Sequence, residues 1–215
     1  MRIKKIFTFG LAIYFAAIAG FMFLEPELTR AATVAVSLSV TTEITVSCDS
    51  TAALSGVINA ISGGSATGNF SCTVTTPDTK GYSLKVKENH TLYNGSAGAN
   101  REFTDYATGT PLAYDFGTIG AGNEVFGFSL DSTTVSPIQQ YQNNGGSPCN
   151  VAGSATTNHC WNGFTSSDQE ISNKAAAVGS GELTKVNLRA EAGGTNALLP
   201  GTYSNTVTAT ATINP

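Results

Sequence analysis

The sequence predicts an all-β fold, an antiparallel Greek-key β-sandwich of about seven to nine strands. Three observations indicate this fold. Apolar and polar residues alternate along several segments, as they do in strands that bury one face. Turn signals rich in Gly, Pro, Asn and Asp separate these segments, and the chain contains 23 Gly. Only 12% of the residues are charged, about half the share that is usual in globular domains.

The first 31 residues are typical of an export signal. A basic start is followed by residues 6–24, which carry no charge. Small residues before Ala32 predict a cleavage site there. Because the uncharged run is barely long enough to span a bilayer, an uncleaved signal anchor is the alternative, and membrane contact is expected only in that case. Residues 32–215 are then a single β-sandwich domain.

The clearest strand pattern runs through residues 34–48, where the apolar side chains fall on even positions. This run is longer than most single strands, so we expect a break near residues 41–43. Cys48 would tie the second half to the domain, whereas the first half carries no such tie. The first half is therefore a candidate assembly strand, and its apolar face consists of Val34, Val36, Leu38 and Val40.

Further segments alternate in the same way. Residues 69–75 and 82–86 flank a turn at residues 76–81, and this arrangement predicts a hairpin. Residues 52–61 are either a short strand or an apolar loop. The pattern predicts the remaining strands at residues 102–107, 111–116, 124–130, 183–192 and 202–213.

A long insertion at residues 132–181 shows little strand or helix period, apart from a predicted helical turn at residues 174–178. A loop of this length is unusual inside a compact domain and indicates a functional excursion. Its aromatic residues are candidates for ligand-facing side chains that stack on sugar rings. The alternative is that they cover the end of the sandwich. These residues are Tyr141, Trp161 and Phe164.

The cysteines indicate an oxidising compartment outside the cytoplasm. Four cysteines allow three pairings, and the economical one joins Cys48 to Cys72 and Cys149 to Cys160. His159 lies beside Cys160, but there is neither a Cys-x-x-Cys motif nor a second histidine nearby. We therefore expect disulfides rather than zinc, with no metal and no cofactor.

No arrangement of residues predicts catalysis. The segment at residues 64–68 has only a superficial likeness to a Gly-x-Ser-x-Gly nucleophile motif and falls in a predicted turn. Two pairs of acids, Asp105 with Asp115 and Asp168 with Glu170, could serve a glycosidase, but the sequence predicts no cleft for them. The sequence therefore favours a protein that is not an enzyme.

Three stretches together resemble surface proteins of bacteria. The run Pro-Gly-Thr-Tyr-Ser-Asn-Thr-Val-Thr-Ala-Thr-Ala at residues 200–211 resembles the closing strand of bacterial spore-coat-protein-U and fimbrial-type β-sandwiches. Two further runs are similar to a hairpin of secreted surface proteins of small-genome bacteria. They are Phe-Ser-Cys-Thr-Val-Thr-Thr at residues 70–76 and Gly-Tyr-Ser-Leu-Lys-Val at residues 81–86. This resemblance implies an immunoglobulin-like or pilin-like sandwich in a coat, pilus or adhesin subunit.

The sequence thus predicts a secreted or cell-surface structural protein that assembles through β-strand contacts. Its expected partners are copies of itself or other surface proteins. The alternative is a carbohydrate-binding or adhesin module that binds glycans with residues 132–181. From residue 32 onward there are 7 Lys and Arg against 13 Asp and Glu, without a basic cluster. This balance argues against nucleic acid as a partner.

Overall fold

The computed structural model describes residues 37–95, 102–106, 119–142 and 161–215. In this part of the chain there are two sheets and one short 3₁₀-helix, Gln139–Tyr141. None of its helices is both long and apolar enough to span a membrane. The strands are β1 (Thr45–Cys48), β2 (Ser55–Asn59), β3 (Gly63–Thr76), β4 (Tyr82–Glu88), β5 (Thr104–Asp105), β6 (Glu124–Leu130), β7 (Gln169–Lys174), β8 (Val178–Ala192) and β9 (Val207–Ile213).

Sheet A has six strands in the order β1-β3-β8-β6-β5, and β2 pairs with the same strand β3 beside β1. The pairing of β5 with β6 is parallel, and the other pairings in this sheet are antiparallel. Its centre is the long β3–β8 pair. On β8 the predicted alternation is confirmed, because Val186, Leu188, Ala190 and Ala192 are all buried on one face.

Sheet B has three strands in the order β7-β4-β9, and both pairings are antiparallel. Its central strand β4 buries Tyr82, Leu84 and Val86 completely. The edge strand β9 alternates between exposed Thr and half-buried apolar residues. The last predicted strand is thus confirmed from Val207 onward, whereas residues 202–206 precede it.

The core lies between the two sheets. Phe126, Phe128 and Leu130 of β6 point inward, as the sequence predicts. The ring of Phe164 stacks against Phe126 at a centroid distance of 5.7 Å and contacts Phe128 at 4.6 Å. Such aromatic contacts contribute about 0.5–1.5 kcal/mol each beyond their buried area. The all-β prediction with two packed sheets is confirmed.

The predicted hairpin around residues 76–81 is wrong. The turn itself forms as expected, because the N–H of Gly81 donates to the carbonyl of Asp78 at 3.0 Å. However, β3 belongs to sheet A and β4 to sheet B, and the two strands do not pair. The neighbours of β3 are β1, β2 and β8, so the chain after the turn crosses to the other sheet instead.

The predicted strand at residues 34–48 is much shorter in the structure. Only Thr45–Cys48 pairs with β3, beginning where Thr45 faces Thr75. Because β3 ends only one residue later, at Thr76, it offers no partner backbone to residues 37–43. Residues 37–44 are therefore not in a strand, and Val34 and Val36 lie outside the described residues.

The disulfide between Cys48 and Cys72 is confirmed. It joins β1 to β3 at directly opposed positions, and Cys72 is fully buried. A bridge that closes a loop of this size stabilises the fold by about 3 kcal/mol in the chain-entropy model. Cys149 and Cys160, as well as the predicted signal at residues 1–31, lie outside the described residues.

The predicted long loop at residues 132–181 is wrong in its described part. Residues 169–174 form the edge strand β7, and β8 already begins at Val178. The bend between them replaces the predicted helical turn. The strand was hidden because an edge strand buries few side chains, and Ile171 is the one large apolar residue of β7. Residues 143–160 lie outside the described residues.

Three further predictions about short strands have different outcomes. Residues 55–59 form β2, so the segment at residues 52–61 is a strand rather than a loop. Of the strand predicted at residues 102–107, Thr104–Asp105 is seen as β5. The strand predicted at residues 111–116 lies outside the described residues.

Candidate functional site: the open side of the sandwich

Two edge strands, β1 of sheet A and β9 of sheet B, lie next to each other on one side of the sandwich. Within the described residues β1 pairs only with β3, and β9 pairs only with β4. The two edges do not pair with each other. Each therefore presents an unpaired row of backbone N–H and C=O groups, and such a row can receive another strand.

A cleft of about 530 Å³, here called the small cleft, lies between these two strands. Val46 and Cys48 of β1 line one wall, and Val207 and Ala209 of β9 line the other. Phe70 of β3 and Leu188 of β8 also line it. Because both are buried core residues, the small cleft reaches the hydrophobic core.

A second cleft of about 770 Å³, the large cleft, adjoins the small one and shares Ala52, Leu188 and Asn205 with it. Residues 198–205, which precede β9, form part of its wall. Its size and apolar lining are in the range of ligand-binding clefts. Besides Leu188, the large apolar side chains that line it include Leu54, Ile58, Leu92, Phe103, Phe126 and Leu198.

The sequence of β9 explains why this side stays open. Its core-facing positions include Ala209 and Ala211, whose small side chains cannot fill the space between the sheets. The core-facing residues of β9 are accordingly only half-buried. On the opposite wall Val46 is 39% exposed. Apolar surface of this kind at a strand edge marks a place where a further chain segment can pack.

Residues 37–40 carry two strongly exposed apolar side chains. Leu38 is 87% exposed and Val40 is 83% exposed, and exposed Ser37 and Ser39 alternate with them. Of the four predicted assembly residues, these two are described. Their side chains have the spacing at which a strand presents one apolar face.

The structure also reveals a pair of carboxyl groups that the sequence analysis missed. Glu88, at the end of β4, is only 5% exposed and lies within hydrogen-bonding reach of Asp105 on β5. Burial and the neighbouring Asp105 raise the pKa of Glu88 to about 8, and burial raises the pKa of Asp105 as well. The sequence did indicate that Glu88 is buried. Glu88 falls on an even position, like Tyr82, Leu84 and Val86, and therefore lies on the buried face of β4.

The candidate ligand-facing aromatics are buried. Tyr141 is 7% exposed, Trp161 is 8% exposed and Phe164 is 1% exposed. Tyr141 packs on Phe128 with a centroid distance of 5.3 Å. Trp161 packs against Tyr106, Ile119 and Val125. The arrangement favours the alternative interpretation, in which these rings cover the sandwich rather than face a sugar.

The acids considered for catalysis do not come together in the described residues. Asp168 forms an exposed ion pair with Lys87 at 3.7 Å, and Glu170 accepts a hydrogen bond from Asn173. Residues 64–68 lie within β3 rather than in a turn. No group of three potential metal ligands occurs in the part of the chain that the structure describes. Asp115 and His159 lie outside that part.

Comparison with known proteins gives no relative. No protein-family model, no curated protein and no solved structure matches the chain. The arguments for a function therefore come from the open side of the sandwich and from the sequence.

Proposed function

We propose that this chain is an exported cell-surface structural subunit that assembles through β-strand contacts, as in a coat or a pilus. Residues 34–40 of one copy add a strand to the free edge of β9 in another copy. The observation that carries this proposal is the open side between β1 and β9, where two unpaired edges flank a cleft into the core. An immunoglobulin-like or pilin-like Greek-key topology is part of the same proposal.

The backbone supplies the first part of the attraction. Strand β9 spans 7 residues, and residues 34–40 are equally long, so one segment can pair along the whole edge. Strand addition of this kind gains main-chain hydrogen bonds along the edge of a sheet. It also removes the exposed edge, which is otherwise prone to non-specific aggregation.

The side chains supply the second part. On an added strand, Val34, Val36, Leu38 and Val40 point to one face, and this face meets the clefts. Burying one such side chain fully is worth roughly 1.5–3 kcal/mol. The entropy lost when two subunits associate offsets a large share of this gain. The net affinity is therefore modest, and we expect assembly to increase with the concentration of subunits on a surface.

The proposed role requires export, and the sequence supports this part of the proposal. We propose that residues 1–31 direct export, with cleavage before Ala32 or retention as an anchor. The Cys48–Cys72 disulfide is typical of an oxidising compartment and supports this location. In the proposed role the protein has no catalytic activity, and its partners are copies of itself or other surface proteins.

The donor segment is tested with residues 32–215 and two double variants. Leu38→Asp with Val40→Asp places two charges on the apolar face, whereas Ser37→Asp with Ser39→Asp places them on the other face. We expect the apolar-face variant to remain a monomer at concentrations where the protein and the serine control associate. Light scattering after size-exclusion chromatography measures the mass. Equal association of both variants would rule out this donor face.

The receiving edge is tested separately with two variants of β9. Ala209→Glu puts a carboxylate into the wall of the small cleft, and the neighbouring Thr208→Glu puts one on the exposed face. We expect Ala209→Glu subunits, but not Thr208→Glu subunits, to fail to associate with one another. Circular dichroism confirms that both variants are folded. If both associate like the wild type, the edge at β9 is not the receiving site.

A further inference from the structure

The carboxyl pair of Glu88 and Asp105 connects the two sheets. Glu88 ends β4 in sheet B, and Asp105 lies on β5, the outermost strand of sheet A. The amide Nδ2 of Asn205 donates a hydrogen bond to Oε2 of Glu88 at 3.2 Å. Because Asn205 also lines both clefts, the pair sits directly behind the open side of the sandwich.

One oxygen of this pair lacks a donor. Oδ1 of Asp105 is buried, and no hydrogen-bond donor of the described residues reaches it. A buried acceptor without a hydrogen bond costs about 1–3 kcal/mol, and more if it is charged. A proton held by Glu88 lowers the cost of burying the pair, because the protonated carboxyl group donates to Asp105 and the pair then carries one negative charge instead of two.

We propose that Glu88 and Asp105 form a proton-dependent latch between the two sheets. With one shared proton the latch is closed, and β5 is held against the end of β4. When the proton leaves, two buried carboxylates repel each other and the latch opens. This inference does not depend on the proposed assembly, because the latch acts within one copy.

Among the described residues, the other charged groups of the neighbouring elements do not neutralise the pair. His90, which follows β4, bonds the carbonyl of Thr91 through Nδ1. Glu124 begins β6, and burial raises the pKa of its carboxyl group. Neutral Asn205 faces the pair from the segment before β9. Three other contacts engage the nearby charges, namely Lys87 with Asp168, Thr91 with Glu102, and Arg189 with Glu191.

Strand β5 is the part that an open latch releases. Within the described residues, this two-residue strand and its flanks are held by few backbone bonds. Among them are Phe103 N–H to the carbonyl of Leu92 at 2.8 Å and Tyr106 N–H to the carbonyl of Phe126 at 2.7 Å. Short edge elements with few bonds open first in native proteins. Because Phe103 lines the large cleft, opening of the latch also loosens the wall of that cleft.

The direction of the pH effect follows from the raised pKa of Glu88. The stabilisation is complete below the ordinary glutamate pKa of 4.5, decreases as the pH rises, and is gone above about pH 8. Glu88→Gln mimics the protonated state, because its amide donates to Asp105 at every pH. We therefore expect the variant to lack this loss of stability between pH 5 and pH 9.

The experiment compares amide hydrogen exchange at Phe103 and Tyr106 in the wild type and in Glu88→Gln at the same pH, which cancels the intrinsic pH dependence of exchange. We expect equal rates at pH 5 and at least about tenfold faster exchange in the wild type at pH 9. Asp168→Asn, which removes an exposed charge, is the matched control and should follow the wild type. A rate ratio that stays constant between the two pH values would overturn the latch.

A direct titration keeps the proposal falsifiable even if Glu88→Gln does not fold. The carbon NMR shift of the Glu88 carboxyl group in the wild-type protein should titrate with a midpoint of about 8. A midpoint near the ordinary glutamate value of 4.5 would show that the pair shares no proton at neutral pH, and the latch would be refuted.

Discussion

At the scale of single residues, buried polar groups link the two sheets inside an otherwise apolar core. Oη of Tyr82 on β4 donates to Oε1 of Glu182 on β8 at 2.9 Å and contacts Oγ of Ser172 on β7 at 3.1 Å. Lys174 forms an ion pair with Glu182 at 3.4 Å. Burial, together with the neighbouring Glu182, raises the pKa of Tyr82 to about 12. The tyrosine therefore stays protonated and remains a donor at physiological pH.

The first prediction concerns this tyrosine. Tyr82→Phe removes the donor to the buried carboxylate of Glu182, and we expect the free energy of unfolding to fall by about 1–3 kcal/mol. Urea denaturation measures the loss. Tyr203→Phe is the control, because Oη of Tyr203 donates to the exposed carbonyl of Leu199 at 2.8 Å, and its loss should be smaller. Equal losses in the two variants would contradict a special role of the buried network.

At the scale of elements, the turn at residues 76–81 decides the topology, because it directs the chain from sheet A to sheet B. Gly81 has a φ of 77°, a left-handed conformation that strongly favours glycine. It also packs against the backbone of the β7–β8 bend, where an added Cβ would overlap the carbonyl oxygen of Lys174. Only glycine satisfies both requirements at this position.

The second prediction uses this difference. Gly81→Ala should destabilise the protein by roughly 3–5 kcal/mol, because it adds steric overlap to the backbone strain. Gly95→Ala is a matched control, since Gly95 has a φ of 72° but no atom of the described residues lies within 4 Å of the added Cβ. Its expected cost is only about 1–2 kcal/mol of backbone strain. Thermal unfolding of the two variants compares them, and similar midpoints would contradict the close approach at Gly81.

The fold was predictable where alternation is strong. Residues 124–130 and 183–192 show it clearly, and both are strands. The pairing of strands was not predictable in the same way, since a turn such as residues 76–81 joins either paired strands or strands of opposite sheets. Strand β7 was missed because Ile171 is its one large apolar residue, so no apolar alternation marks it. Local periodicity reports burial, and it does not report which strand lies next to which.

The candidate site was predictable only in part. The alternation of Leu38 and Val40 indicated an apolar segment without a tie to the domain, and both side chains are exposed. The clefts that could receive such a segment depend on the spacing between β1 and β9, and no local pattern encodes this spacing. Glu88 was accessible from its parity on β4, but its partner Asp105 comes from a two-residue strand that no period marks.

At the scale of the whole molecule, the sandwich is closed around most of its core and open on one side. A disulfide fixes β1 next to this side, and the latch of Glu88 and Asp105 lies behind it. The segment before β1 carries the apolar side chains that the open side lacks. In the proposed assembly each copy therefore offers a strand and receives one, and such head-to-tail contacts generate an open chain of subunits.

The most direct test of this account is amide hydrogen exchange of residues 32–215 measured across a range of protein concentrations, together with the molar mass. We predict that residues 34–40 and the strand β9 gain protection together, at the concentration at which the mass rises. A mass that rises without protection of these two segments would contradict the account. So would a monomer in which residues 34–40 are already protected, because the segment would then close its own sandwich.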